Sequence, residues 1–187
     1  LNVIRGNVKE SLETIMIALD SEDSETSHYA ASVLRDELNE FRANVQKLYG
    51  EIKEEEEDET ECEEMLIDYM DMIFGQKIFD QMEQRRFIMM MDEAGESLYS
   101  KNAARFTPER YESICLKLLE LKEFEKVQKW CTRLEEQYPD ELPAYTCRLK
   151  LYFTMNDREQ FFGVLDELKQ SRIVVDQETL ELIRVFS

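Results

Sequence analysis

The sequence predicts an all-α protein, a short α-solenoid of stacked antiparallel helix pairs. The C-terminal half aligns with itself 34 residues on, without a gap: Tyr111 falls on Tyr145, Cys115 on Leu149, Leu118 on Tyr152 and Leu119 on Phe153. Val127 then falls on Phe161, Cys131 on Leu165 and Leu134 on Leu168. These positions are apolar at helical spacing and the residues between them are mostly charged. Each period therefore reads as a helix-turn-helix unit that buries its apolar face only by stacking on a neighbour. Composition agrees: 187 residues include only five Gly and three Pro, with 35% charged and 43% apolar residues, the profile of long helices and short turns. No segment alternates apolar and polar residues over a strand's length between turn signals.

Residues 1–50 predict one helix pair. Val8, Leu12, Ile15, Met16 and Leu19 form an i, i+4, i+7, i+8 stripe behind a cap at Asn7, and the polar stretch after Asp20 offers Ser24 as the next cap. The following helix carries Ala30, Leu34, Leu38, Phe41, Val45, Leu48 and Ile52 on one side. From Leu38 the spacing is a heptad seam of about two heptads, too short for a coiled coil and suited to packing within the chain. Residues 51–60 fall in an acidic run that holds ten acids and one base, Lys53, between residues 51 and 64. A solvated helix end or mobile linker is the expectation there.

Residues 61–106 predict a Met-rich helical pair opened by a capping box, Thr60-Glu-Cys-Glu63. Its first helix carries Met65, Leu66, Tyr69, Met70, Ile73 and Phe74 and ends at Gly75. Its second, continuous or broken near Gln84, carries Ile78, Phe79 and Met82, then Phe87, Met90, Ala94 and Leu98. Seven of the nine methionines lie between Met65 and Met91. Core filling is expected of Met82 and Met90, which share stripes with Phe79 and Phe87, while Met89 is expected to escape the core; a plastic Met-rich binding surface is the alternative. Residues 107–187 hold the two repeat units. Thr107-Pro108 reads as cap and first helical position. Tyr138-Pro139 closes the first unit, the second opens near Leu142-Pro143, turns at Asn156-Asp157 and ends near Ser171, and Asp176 caps a closing helix carrying Leu180, Ile183 and Phe186.

The net charge of −19 argues against nucleic acid, which needs Lys/Arg patches, and against a grip on anionic lipid. The longest purely apolar run, Phe87 to Met91, is far short of a bilayer span, so no direct membrane insertion is expected. Cys62, Cys115, Cys131 and Cys147 show no CxxC pairing; a reducing compartment is expected, with the cysteines acting as small buried hydrophobes. His28 is alone, so no metal site is expected. No two of the five glycines lie within ten residues of each other, which excludes a P-loop or a Gly-x-Gly-x-x-Gly turn. A calcium loop counted from Asp20 would need Gly at position 25 and Glu at position 31, where the chain has Glu25 and Ala31. With 42 acids, carboxylate pairs arise by chance. The expectation is a protein that is not an enzyme, with no catalytic residue, no cofactor and no metal.

The turn and helix "LDSEDSETSHYAASVL" resembles a HEAT-type repeat, with Thr26-Ser27 where that family has Val-Arg. Residues 107–187 resemble tetratricopeptide repeats. Pro139 taken as the closing proline puts Tyr111, Ile114, Cys115, Leu118, Val127, Cys131 and Leu134 on the signature positions, and Tyr145, Arg148, Leu149, Tyr152, Phe161, Leu165 and Leu168 in the second unit. Arg148 departs from the pattern by replacing an apolar residue, and Leu149, Val127 and Phe161 stand where small residues are preferred. In that family the first helix of each unit lines a concave face. The resemblance thus implies partner-binding positions at Glu109, Glu112, Leu116 and Glu120, at Thr146, Lys150 and Phe153, and at Leu180 and Arg184. The expected partner is a protein segment, basic or of mixed charge, with an apolar anchor, for which Phe153 is the candidate contact; packing of Phe153 between helices is its alternative role.

The order of the HEAT-like pair, the Met-rich middle and "YESICLKLLELKEFEKVQKWCTRLEEQYP" is similar to the cytosolic repeat region of proteins from bacterial exopolysaccharide operons of the Pel type. That resemblance implies a scaffold in a synthase complex, cytoplasmic and at the inner face of the plasma membrane. The start on Leu1 fits a soluble piece of an anchored parent. The chain is expected to be a monomer or weak homodimer. The competing expectations are a self-assembling, dimeric structural or regulatory adaptor unrelated to polysaccharide, which would use the Leu38 to Ile52 seam, and an acid/base enzyme using carboxylates.

Overall fold

The structure, a computed structural model, describes residues 12, 14–53, 59–74 and 78–186. Among them there is no strand. Helix α1 covers residues 14–19 and is followed by α2 (Ser24–Ile52), α3 (Glu61–Phe74) and α4 (Gln81–Asn102). A 3₁₀ turn (Ala103–Arg105) leads to α5 (Pro108–Glu120), α6 (Phe124–Gln137), α7 (Leu142–Met155), α8 (Arg158–Gln170) and α9 (Gln177–Val185). The helices form two compact units, Leu1–Ala103 and Ala104–Ser187. The cap expected at Asn7, the stripe residue Val8, the acids at 54–58 and the stop at Gly75 lie outside the described residues. No helix of the described residues is long and apolar enough to cross a membrane.

In the N-terminal unit α2 packs on α3 and α3 on α4. The heptad seam faces inward at its centre: Phe41 and Val45 are buried, and the Phe41 ring lies 5.1 Å from Tyr69 and 5.3 Å from both Phe79 and Phe87. Arg42 closes the same side with a bidentate pair to Glu83, Nε to Oε1 at 2.6 Å and Nη2 to Oε2 at 2.9 Å. The residues that depart from the HEAT pattern have local work. Thr26 donates from its amide and hydroxyl to Asp23, and Ser27 Oγ donates to the Leu19 carbonyl at 3.1 Å, tying the end of α1 to the start of α2.

Five local expectations are corrected here. Asp23, not Ser24, caps α2, because its carboxylate accepts from the amides of Glu25 and Thr26 and stays ionised while doing so. The acid expected to complete the capping box, Glu63, is instead fully buried against α4. It accepts from Lys101 Nζ at 2.8 Å and Ser97 Oγ at 2.6 Å, while Thr60 Oγ1 donates to Glu64. A buried carboxylate must be paired, and the ammonium on α4 is the strongest donor within reach. Helix α4 is continuous past Gln84 and starts only after the Asp80 cap, so Ile78 and Phe79 precede it. Met82 lies in the solvent, 85% exposed, because it shares its helix face with the exposed Arg85 and Arg86; Met89, expected outside, is half-buried.

In the C-terminal unit the 34-residue period is a backbone period. Lys122 and Asn156, 34 apart, are the two non-glycine residues with positive φ among those described, at 58° and 59°. The chain reverses around each by the same pair of bonds. Lys122 and Asn156 donate to the carbonyls of Leu119 and Phe153, and Glu123 and Asp157 donate to those of Leu118 and Tyr152. This is the C-terminal closure in which two late amides satisfy the last carbonyls of a helix. Thr107, Asp157 and Asp176 cap α5, α8 and α9, each accepting from the amide three residues on. Val127, Trp130, Cys131 and Leu134 form the buried stripe of α6. The Trp130 ring stacks 5.2 Å from Phe106. Cys115, Cys131 and Cys147 are buried on α5, α6 and α7, with the Cys115 and Cys131 sulfurs 3.9 Å apart.

Helices α5–α6, α6–α7, α7–α8 and α5–α7 pack in turn. The last layer buries Leu149, Phe161, Val164, Leu165 and Leu168 beneath Leu182 and Ile183 of α9. Arg148 is accommodated by charge. Its Nη1 lies 2.9 Å from Glu135 of α6 and its Nη2 3.0 Å from Glu167 of α8, while Nε donates to the Ala144 carbonyl. One guanidinium thus joins three helices where the repeat pattern has a side chain without charge.

Candidate functional site: a cleft along α7 and α9

Thr146, Lys150 and Phe153 stand at i, i+4 and i+7 on one face of α7, and Leu182 and Phe186 one turn apart near the end of α9. Two hollows follow one another between these faces. The first, of about 140 Å³, is lined by Thr146 and Lys150 of α7, Glu112 of α5, and Asp176, Glu178 and Leu182 at the α9 side. The second, of about 390 Å³, lies at the α7–α8 turn and is lined by Phe153, Arg158, Phe161, Phe162 and Phe186. The early residues of α7 meet the early residues of α9, and Phe153 meets Phe186 at 6.3 Å, so the two helices run parallel.

The second hollow is aromatic and open. Phe153 is 65% exposed, Phe162 42% and Phe186 37%, around a buried Phe161 that contacts Phe162 at 5.5 Å and Phe186 at 5.2 Å. Nothing among the described residues covers these rings. The first hollow is charged. One ammonium, Lys150, faces the carboxylates of Glu112, Asp176 and Glu178. Asp176 is held below the usual carboxylate range, first by the amide of Thr179, then by its hydroxyl, with Lys150 adding attraction. It is therefore an anion at neutral pH as well as the cap of α9.

Of the positions expected to bind a partner, the structure brings Glu112, Thr146 and Lys150 together in the first hollow and places Phe153 in the second. Glu109 is exposed and Leu116 half-buried, and neither lines these hollows. Glu120 is turned to Lys117, 2.8 Å away on the same helix. Leu180 is half-buried and Arg184 exposed, and the lining of both hollows comes from other α9 residues. A strict carry-over by 34 residues selects 180 and 184, but the face that α9 turns to these hollows carries Leu182 and Phe186 instead. Phe153 is 65% exposed while its ring lies 6.0 Å from Phe161 of α8 and 6.3 Å from Phe186, so an open face and a packing contact coexist on one side chain.

Sequence reasoning missed Phe162, Phe186, Asp176 and Glu178 as site residues. A signal existed for the rings. Phe162 stands 34 residues after Gln128, an exposed polar residue of the first unit, so the repeat itself marks Phe162 as an aromatic on a solvent position. The cysteines form no open site. Cys115 is buried and its thiol is held well above its usual range, first by the thiols of Cys131 and Cys147 and then by burial. Among the described residues no group of three or more His, Cys, Asp or Glu side chains is arranged to hold a metal ion. Comparison with protein-family models, with curated proteins and with solved structures returned no match. What stands is an all-helical protein whose helices pack in sequential pairs.

Proposed function

We propose that this chain is a non-enzymatic helical-repeat scaffold, a short α-solenoid whose C-terminal, tetratricopeptide-like units dock a segment of another protein along α7 and α9. The observation that carries this reading is the open aromatic hollow. Three phenylalanine rings stay partly in solvent around the buried Phe161 that they pack on, and an exposed apolar patch beside polar groups is the usual form of a protein-binding site. The identical turns at Lys122 and Asn156 support the stacked-repeat reading of this unit. The carboxyls of Asp23, Glu63 and Asp176 are held low, which suits binding and capping rather than proton donation to a substrate. The resemblance to Pel-type operon proteins supplies the setting we propose, the cytoplasmic side of an exopolysaccharide synthase complex.

The test is retention of partners from the native organism on immobilised chain, compared between the wild type and a Phe153→Ala/Phe162→Ala double variant. The wild type should retain at least one protein that the variant does not, with unchanged helical circular dichroism. Identical retention by both would remove the cleft from the function.

A further inference from the structure

The two hollows differ in chemistry and lie a fixed distance apart, and this specifies the segment that fits them. Glu178, in the first turn of α9 and on the first hollow, and Phe186, at its C-cap and on the second, stand eight positions apart. At about 1.5 Å of rise per residue this is about 12 Å. An extended chain advances about 3.3 Å per residue, so about 12 Å is spanned by three to four residues. The acidic end is lined by three carboxylates, from Glu112, Asp176 and Glu178, against the one ammonium of Lys150, so acid predominates there. The other end offers the faces and edges of Phe153, Phe162 and Phe186. Lys150 stands on the α7 wall of that hollow, one turn before Phe153, so a second cation on the side toward the phenylalanines meets an ammonium.

Resting on the docking reading, we infer that the occupant is an extended protein segment carrying a Lys or Arg and a large apolar side chain three to four residues apart. The cation enters among Glu112, Asp176 and Glu178, and the apolar group, aromatic or long aliphatic, enters the phenylalanine hollow. The intervening residues are neutral or acidic. Charge decides between this occupant and a second copy of the chain. A copy carries the same −19, so approach of two copies is repulsive, whereas a cationic segment is drawn in. The rings supply contact area at low cost in side-chain entropy, and the carboxylates set register and exclude acidic competitors.

The experiment pans phage-displayed random 12-residue peptides against the full chain and against its Phe162→Ala and Glu178→Lys variants. Peptides enriched on the wild type should share a Lys or Arg three to four positions from Phe, Trp, Leu or Met. Synthetic labelled versions should bind about tenfold more weakly when the cation becomes Glu, when the spacing is stretched to eight, or when the protein carries either substitution. Both substituted positions are exposed, and Trp130 fluorescence reports that the unit stays folded. Enriched peptides with acidic anchors, or with binding indifferent to spacing, would overturn the inference while leaving the docking reading in place. No enrichment above an equally acidic control protein would overturn both. A dimer by light scattering that Phe162→Ala dissociates would assign the cleft to a second copy and overturn the proposed segment.

Discussion

Arg148 offers a test of how a repeat tolerates a charge at an apolar position. The guanidinium is about one-tenth exposed, while its partners Glu135 and Glu167 are 45% and 56% exposed. Removing the acids and removing the arginine are therefore unequal perturbations. Glu135→Ala with Glu167→Ala leaves a buried cation held only by the Ala144 carbonyl and the Tyr145 ring, whose centroid lies 5.2 Å from Cζ. Stranding a buried charge costs about 3–5 kcal/mol, and water admitted where the glutamates stood reduces this to about 2–4 kcal/mol. Arg148→Met keeps most of the volume, removes the charge and leaves two glutamates free to hydrate, at a cost of about 1 kcal/mol or less. Trp130 is the only tryptophan and is fully buried in the same unit, so its fluorescence follows unfolding of that unit alone. In urea, with a slope of about 1.5 kcal/mol/M, the double glutamate variant should lose about 2 M in midpoint and Arg148→Met less than about 0.7 M. An Arg148→Met variant as unstable as the double variant would refute the reasoning and make the ion pairs themselves the source of stability.

Four further outcomes are expected. Lys122→Gly should raise the urea midpoint, by about 0.5–1 kcal/mol of stability, because a lysine at φ 58° carries a steric cost that glycine does not; an unchanged or lower midpoint contradicts the repeat turn. Thiol titration of the native chain should show one fast group, Cys62, and three more only after denaturation, since Cys115, Cys131 and Cys147 are buried. Burial pushes Glu63 upward, but Lys101, Ser97 and its own amide outweigh this and hold it below the ordinary 4.5, so its contribution is complete above that pH and lost as pH falls through the lower folded value. Thermal melts should then show Glu63→Gln destabilised at neutral pH with a smaller loss on acidification than the wild type, and parallel acid limbs would remove Glu63 from the effect. Phe153→Ala should change stability by less than about 1 kcal/mol, because its ring is largely in solvent, whereas loss of several kcal/mol would return it to a packing role.

The helical class, the order of the helices and the 34-residue repeat were legible in the sequence because they rest on periodicity and on turn residues, which act over a few neighbours. Thr107-Pro108, Asn156-Asp157 and Asp176 all mark the boundaries at which they stand in the structure. Apart from the cap of α2, which falls one residue earlier at Asp23, what failed was decided by residues far apart in sequence. Glu63 has the position of a capping acid, and only the approach of α4 supplies Lys101 to draw it inward. Met82 follows an apolar pattern, yet it lies with Arg85 and Arg86 on the face of α4 left in solvent, while Phe87, Ile88, Met90 and Met91 take the buried face. The site divides in the same way. The repeat selected Glu112, Thr146, Lys150 and Phe153, which share the lining of the two hollows because α5 packs beside α7. It also selected Leu180 and Arg184 and passed over Phe162, Phe186 and Glu178. A period fixes which residues share a helix face, but the rotation of α9 on its neighbours, set by the packing of Leu182 and Ile183 on the last core layer, decides which face meets the cleft.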